Sequence, residues 1–152
     1  MKPPFKHILL TTDLSDDSLR AFESVATLAR AAGGRVTLLC VVQDVILPPA
    51  TADPLSTPLH APDVEPKRTA AAARLEQLAA EHLAGLSVEC YAIVGGTPEE
   101  EICAAAREHG CDLIAMSTHG RSGFQRLVLG SVAEGVLRHS HVPVLFYPRL
   151  SH

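Results

Sequence analysis

Two patterns of hydrophobic and polar residues alternate along the chain, and together they predict its secondary structure. Continuous apolar runs of roughly four to eight residues are typical of strands buried on both faces. Apolar residues that recur every three or four positions predict amphipathic helices. The first pattern predicts strands at 6–12, 35–42, 87–94, 112–115 and 142–147, and the second predicts helices at 16–32, 67–83, 98–109 and 131–139.

The order of these elements predicts the fold class. Strands and helices alternate from first to last, which indicates an α/β fold with a parallel sheet, helices on both faces and right-handed crossovers. We therefore predict an open five-stranded parallel sheet of Rossmann-like architecture. The length of 152 residues suits a single domain over 1–152. Pro143 places the last strand at an edge of the sheet, or itself at the strand's first position, because proline cannot donate to a β-ladder.

Capping residues mark the predicted helix starts. Ser15 is a plausible N-cap for the first helix. Thr97, followed by Pro98 and by Glu100, predicts a helix start with a capping box. His82 falls on the apolar face of the second helix, where a half-buried helix residue is the expected role.

The segment 43–65 has a different character from the rest of the chain. It holds five prolines and shows no hydrophobic period, so it is neither a regular helix nor a central strand. It exceeds the roughly 12–15 residues usual for a plain loop. We interpret it as a proline-rich excursion over the surface, and disorder, a lid over a ligand and a dimer contact remain open as its role.

Composition narrows the class of protein. The chain is 47% hydrophobic and 20% charged, with a net charge of −4, which is typical of a globular domain and argues against a broad nucleic-acid surface. No apolar run approaches the roughly 18 residues of a membrane span, and the N-terminus turns acidic too early for a signal peptide. Four scattered cysteines without a Cys-x-x-Cys pair indicate reduced, buried thiols and a cytoplasmic location. The histidines show no metal-ligand spacing, so no metal site is predicted.

The stretch 116–132 carries the chemistry on which the rest of the prediction depends. Gly120 and Gly130 bracket nine residues, and Ser131 follows at the predicted start of the last helix. Glycine permits a positive φ and close approach to the backbone, and a serine that opens a helix caps one of its free N–H groups. The remaining N–H groups and the helix dipole favour an anion. The stretch is therefore predicted to form a strand, a loop and a helix N-terminus that hold phosphate.

This spacing resembles the ATP-binding motif of the universal stress proteins, in which Gly, two residues, Gly, nine residues and Gly precede Ser or Thr. Gly120, Gly130 and Ser131 match, and Ser117 stands where the motif has its first glycine. The resemblance covers nearly the whole chain. It implies an adenine nucleotide α-hydrolase-like sheet with strand order 3-2-1-4-5, and ATP as the cofactor, with or without Mg²⁺. The ligand would then lie between strands one and four, where the strand order reverses.

The resemblance also implies which residues contact the nucleotide. Asp13 would lie near the adenine and the ribose, although it could merely start the turn before the first helix. Thr12 and Val41 would offer backbone and apolar contacts to the base, and Met116 would line the base pocket. The full set is Thr12, Asp13, Val41, Met116, Ser117, His119, Gly120, Arg121, Gly130, Ser131 and Val132.

The later members of this set would hold the sugar and phosphates. His119 and Gly120 would run past the sugar and the first phosphates, and 130–132 would hold the outer phosphates on the helix N-terminus. Ser131 could donate its hydroxyl to phosphate or to a divalent cation, or serve only as a cap. Arg121 could meet phosphate, and the alternative for Arg121 and His119 is a solvated place in the loop.

Catalytic motifs are missing from the sequence. It contains neither a Gly-x-x-x-x-Gly-Lys-Ser/Thr loop nor a Gly-x-Ser-x-Gly elbow, and no acidic base lies within the stretch 116–132. We therefore predict no catalytic residues and an ATP-binding stress-response protein that acts through a nucleotide-dependent state. The alternatives are a slow ATP-hydrolysing or nucleotide-transferring enzyme, and a scaffold of the same family that no longer binds nucleotide.

The predicted edge strand suggests how the chain associates. The run 142–147 is apolar, and an uncovered apolar edge favours aggregation unless a partner strand covers it. The resembled family also dimerises there. We predict a homodimer through 142–147, with an edge covered by the C-terminal tail as the alternative, and we expect neither a nucleic-acid nor a membrane partner.

Overall fold

A computed structural model of the chain describes residues 5–44, 63–118 and 129–148. Most of the proline-rich segment, 45–62, and the loop residues 119–128 lie outside the described residues. The elements are β1 (His7–Thr11), a single 3₁₀ turn (Asp16–Leu19), α1 (Arg20–Ala32), β2 (Arg35–Val42), α2 (Glu65–His82), β3 (Ser87–Val94), α3 (Pro98–Glu108), β4 (Leu113–Ser117), α4 (Ser131–His139) and β5 (Val144–Tyr147).

The five strands form one parallel sheet in the order β3-β2-β1-β4-β5. This confirms the predicted α/β fold class and the strand order that the resemblance implied. Pro143 immediately precedes β5, and β5 is an edge strand, as its proline predicted. The carbonyl oxygen of Pro143 accepts from the N–H of Ile114 at 3.0 Å, so the proline still contributes an acceptor to the ladder.

Two hydrophobic cores lie on opposite faces of the sheet. Ile8 and Leu10 of β1 point into the core under α1 and α2, and Leu9 points into the core under α3 and α4. All three side chains are fully buried, which explains why β1 has a continuous apolar sequence. Burying each such side chain contributes about 1.5–3 kcal/mol, so the central strand is strongly held from both sides.

Several predicted boundaries differ from the observed ones by one to four residues, and two of these differences have a clear physical cause. α2 begins at Glu65, whereas the sequence placed Glu65 in the excursion and began the helix at 67. Pro66 fits the first turn of this helix because an N–H there would have no partner within the helix. β4 continues beyond the predicted 115, because Met116 and Ser117 pair with Phe146 and Tyr147 of β5.

The predicted caps also need correction. Ser131 is the first residue of α4, and the N-cap is Gly130. The Thr97 side chain makes no capping hydrogen bond at the start of α3, so the predicted capping box does not form. Ser15 precedes the 3₁₀ turn rather than α1 itself. The His82 side chain is 38% exposed, and its ring and that of Phe22 form an edge-to-face pair with centroids 5.6 Å apart.

The four cysteines all lie among the described residues, and none of them forms a disulfide bond there. Cys40, Cys103 and Cys111 are buried, and Cys90 is half-buried. Burial raises the pKa of the Cys90 and Cys111 thiols to about 11. These thiols therefore stay protonated and unreactive near neutral pH, as the prediction of buried, reduced cysteines requires.

Candidate functional site

A crevice forms where β1 and β4 lie side by side. β1 leads into α1, which packs on one face of the sheet, and β4 leads to α4, which packs on the other. Leu10 pairs with Ala115, so Thr12 and Ser117 lie equally far beyond that pair at the carboxyl edge. Open α/β sheets bind ligands at such a reversal of strand order.

Thr12 is built into the turn that closes the β1 side of this crevice. It is buried, and its backbone N–H donates to the Leu39 carbonyl at 2.9 Å. Its hydroxyl contacts the Ser18 hydroxyl at 2.6 Å and accepts from the N–H of Leu14 at 3.0 Å. The side chain of Thr12 is therefore occupied by the protein.

Asp13 divides its carboxylate between the turn and the crevice. Oδ1 accepts from both the backbone N–H of Ser15, at 3.0 Å, and the Ser15 hydroxyl. Oδ2 is shielded from solvent and has no hydrogen-bond partner in residues 5–44, 63–118 and 129–148. A buried acceptor left unsatisfied costs about 1–3 kcal/mol. A role of Asp13 in the turn alone thus accounts for one carboxylate oxygen only. The other oxygen remains available to a donor on a ligand.

Leu14 and Ser18 are two contributors that the sequence did not reveal. Leu14 has a φ of 65°, a left-handed conformation that costs a residue with a side chain about 1–3 kcal/mol. The hydroxyl of Ser18, which is buried, donates to the Ser15 carbonyl at 2.7 Å. The Asp-x-Ser spacing at 13–15 is a recognisable turn signal, but nothing local indicates that Leu14 is strained or that Ser18 is buried.

Val41 and Met116 lie on the face of the sheet covered by α3 and α4. Met116 is buried in the core there, and Val41 is half-buried and packs against the same core. Both lie towards the carboxyl ends of their strands. They form apolar walls beside the crevice rather than polar contacts.

The start of α4 supplies backbone donors on the other side of the crevice. The carbonyl oxygen of Gly130 accepts the first helical bond, from the N–H of Glu134 at 2.9 Å. The amides of Ser131, Val132 and Ala133 therefore have no carbonyl acceptor within the helix, and no side chain caps it. Ser131 is exposed. These amides and the positive end of the helix dipole together favour an anion.

The structure brings part of the predicted set together at the carboxyl edge of the sheet. Thr12 and Asp13 directly follow β1, Ser117 ends β4, and α4 begins there with Gly130 as its N-cap. His119, Gly120 and Arg121 lie outside the described residues.

In the part of the chain that the structure describes, no three or more His, Cys, Asp or Glu side chains are grouped to hold a metal ion. Among the same residues, none of the helices has both the length and the apolar character to span a membrane.

Comparison with known proteins identifies the family. The sequence profile of the universal stress protein family matches residues 4–148. Universal stress protein MJ0531 of Methanocaldococcus jannaschii is 32% identical over 144 residues, which cover 93% of this chain and 81% of that protein. The solved structure of MJ0577, a universal stress protein of the same organism, superposes with a TM-score of 0.73 at 27% identity and covers 97% of this chain and 98% of its own.

A third comparison concerns a bound ligand. A universal stress protein solved in complex with cAMP has a TM-score of 0.65 at 23% identity, with coverage of 95% of this chain and 98% of its own, and shares the fold. The profile match extends over nearly the whole chain, and the fold and strand order agree with it. The chain belongs to the universal stress protein family.

Proposed function

We propose that the crevice between β1 and β4 binds ATP, with or without Mg²⁺, and that this protein acts as a nucleotide-dependent stress-response regulator. The observation that carries the proposal is that hydrogen-bonding groups on both sides of the crevice lack partners. Backbone donors at 131–133 have no acceptor within α4, and Oδ2 of Asp13 has no donor among the described residues. ATP offers polyphosphate oxygens for the first and hydroxyl or amino donors for the second.

The other residues assigned to the site fit the same orientation of the nucleotide. The apolar side chains of Val41 and Met116 suit a purine base, and the backbone of Thr12 can meet its polar edge. Ser117 and Ser131 offer hydroxyl groups along the path to the phosphates. The resemblance assigns His119, Gly120 and Arg121 to the sugar and the phosphates. The universal stress protein solved with cAMP supports the proposal only in showing that this fold accommodates an adenine nucleotide.

We assign no general base at this site. Asp13 is the one carboxylate in the assigned set, and its Oδ1 already accepts two hydrogen bonds from Ser15. A phosphate cradle without a base holds nucleotide and does not activate water efficiently. We therefore propose a binding protein in preference to a hydrolase.

The proposed dimer uses the outer edge of β5. Val144 and Phe146 pack into one core of their own protomer, while Leu145 and Tyr147 pack against the other. All four side chains are half-buried, so pairing of two β5 edges would rest on backbone hydrogen bonds. Such pairing removes an exposed strand edge.

Native mass spectrometry of gently purified protein tests both parts of this proposal. We expect the mass of a dimer with one ATP in each protomer. Bare protein that also gives no saturable ATP titration would support the non-binding scaffold instead. Saturable, metal-dependent turnover that is lost when Asp13 is replaced would support the enzyme.

A further inference from the structure

A second cleft, of about 260 Å³, lies between α3 and the outer strand β3. α3 packs against β2 and α4, so the face of β3 beside it is incompletely covered. Tyr91 on that face is 38% exposed. Among the described residues, it is one of two large hydrophobic residues that are exposed to solvent. None of the residues that line the cleft belongs to the proposed nucleotide site.

Two carboxylates line the cleft. Glu101 and Glu108 both line it and are seven residues apart on α3, so they share one face of the helix about 10.5 Å apart along its axis. Glu101 lies beside Gly96, where the missing side chain leaves room for its carboxylate. Neither of the two side-chain carboxylates forms an ion pair or hydrogen bond with another described residue.

The other residues that line the cleft are mostly apolar or aromatic. Leu39, Ile93 and Ala105 contribute aliphatic surface. Tyr91 stacks on His109 with ring centroids 4.3 Å apart and planes tilted by 32°. The hydroxyl of Tyr91 donates to Glu89 at 3.2 Å, which holds the ring in place. An exposed tyrosine face attracts a cation.

We propose that this cleft binds a small aliphatic diamine. An ammonium group at each end would form charge-assisted hydrogen bonds with Glu101 and Glu108, and the methylene chain between them would cover the aliphatic residues that line the cleft. The volume of about 260 Å³ is just below the roughly 300–1,000 Å³ usual for ligand pockets, which favours a small ligand. An anionic ligand would face two carboxylates and is disfavoured.

Titration calorimetry with cadaverine tests the proposal, with pentylamine as the probe that has the same chain and a single ammonium group. We expect saturable binding of cadaverine and binding of pentylamine about tenfold weaker, because pentylamine meets one carboxylate only. Equal affinities, or no saturable binding of cadaverine, would overturn the two-carboxylate site.

Matched variants distinguish binding in the cleft from attraction of cadaverine by the general negative charge of the surface. Glu101→Gln and Glu108→Gln should each weaken cadaverine about tenfold, since each removes one charge from the cleft. Glu100→Gln removes the same charge from an exposed position of α3 that does not line the cleft and should leave the affinity unchanged. A similar loss in all three variants would show that cadaverine is attracted only by overall charge.

The aromatic wall gives an independent readout. Tyr91→Leu keeps an apolar side chain but removes the ring face, so it should weaken cadaverine several-fold, while Tyr91→Phe should retain most of the affinity. The amide resonances of β3 and α3 should shift on titration. Unchanged binding in Tyr91→Leu, with shifts confined to other elements, would move the amine away from this cleft.

Discussion

Gly130 donates its backbone N–H to the carbonyl oxygen of Thr118 across 3.1 Å. This bond fixes the start of α4 at the end of β4, and so holds the free amides of the helix at the carboxyl edge of the sheet. A Cβ built on Gly130 would lie 3.1 Å from the same oxygen. The site thus depends on a close approach that only glycine permits without a shift.

The first prediction follows from this contact. Gly130→Val should abolish ATP binding in calorimetry, because the side chain must push Thr118 away and also fills space near the helix amides. The φ of −61° at Gly130 is open to any residue, so the circular dichroism spectrum should be unchanged. Gly130→Ala, which adds the Cβ alone, should lie between valine and the wild type. ATP binding at wild-type affinity in Gly130→Val would remove 130–132 from the phosphate site.

A second prediction separates the two roles of Asp13. Asp13→Asn keeps an oxygen for the Ser15 hydrogen bonds and replaces the unpaired acceptor with an amide donor. Stability should change by less than about 1 kcal/mol, whereas ATP affinity should fall about tenfold or more, since a hydrogen bond to a charged group contributes about 1.5–3 kcal/mol. Thermal unfolding and calorimetry measure the two effects. Unaltered affinity would mean that Asp13 serves the turn alone.

The third prediction concerns acid. His7 is buried, its Nε2 lies 2.8 Å from the Thr37 hydroxyl, and its Nδ1 has no hydrogen-bond partner among the described residues. Burial lowers the pKa of His7 below its ordinary value of 6.5, and Arg35 lowers it further, against the opposing effect of Asp112. The stability that the buried, neutral His7 contributes to the fold is therefore complete above about pH 6.5 and is lost as the pH falls below that value.

Chemical denaturation between pH 7.5 and pH 5 measures this acid sensitivity, over a range that reaches about 1 pH unit above and about 1.5 units below the ordinary histidine value. His7 alone can steepen the decline in unfolding free energy by at most about 1.4 kcal/mol per pH unit. His7→Gln should flatten that decline, and His141→Gln, at an exposed histidine, should not. Identical profiles for the wild type and His7→Gln would rule out His7 as the source.

The fourth prediction tests the proposed dimer through its backbone. The carbonyls of Pro143 and Tyr147 accept bonds from β4, so the N–H groups at 144 and 146 point outward, since alternate residues of a strand face opposite sides. Val144→Pro removes an outward donor and no ladder bond within the sheet, and should give a folded monomer by light scattering. Leu145→Pro, one residue on, should instead destabilise the protomer. A dimeric Val144→Pro would move the interface elsewhere.

Local sequence was enough to predict the bounds of an element where those bounds depend on its own residues. The bounds of β2 and β3 were predicted correctly, because Gly34, Gly85 and Gly95 lie at or near the ends of these strands and the polar Gln43 follows β2. The last residues of β4 were missed, since Met116 and Ser117 are in a strand only through their pairing with β5. That pairing is tertiary, and a local apolar run does not report it.

The location of the candidate site could be inferred from the sequence, whereas its detail could not. Strand order and the glycine spacing predict a site at β1, β4 and α4, and this assignment stays a prediction. The strained φ of Leu14 and the buried Thr12–Ser18 contact could not be predicted, because both arise from the packing of the 3₁₀ turn against the ends of the strands. Ser131 was expected to cap α4, but Gly130 is the N-cap and Ser131 is the first helical residue. Capping preferences do not resolve a shift of one residue.

The most direct test of the account follows the backbone amides of Ser131, Val132 and Ala133 by NMR during a titration with ATP. We predict that these three resonances move saturably and among the most strongly in the protein, since their N–H groups would gain phosphate acceptors. Saturable binding with these resonances unmoved, or no saturable response anywhere, would contradict the assignment of the α4 N-terminus as the phosphate site.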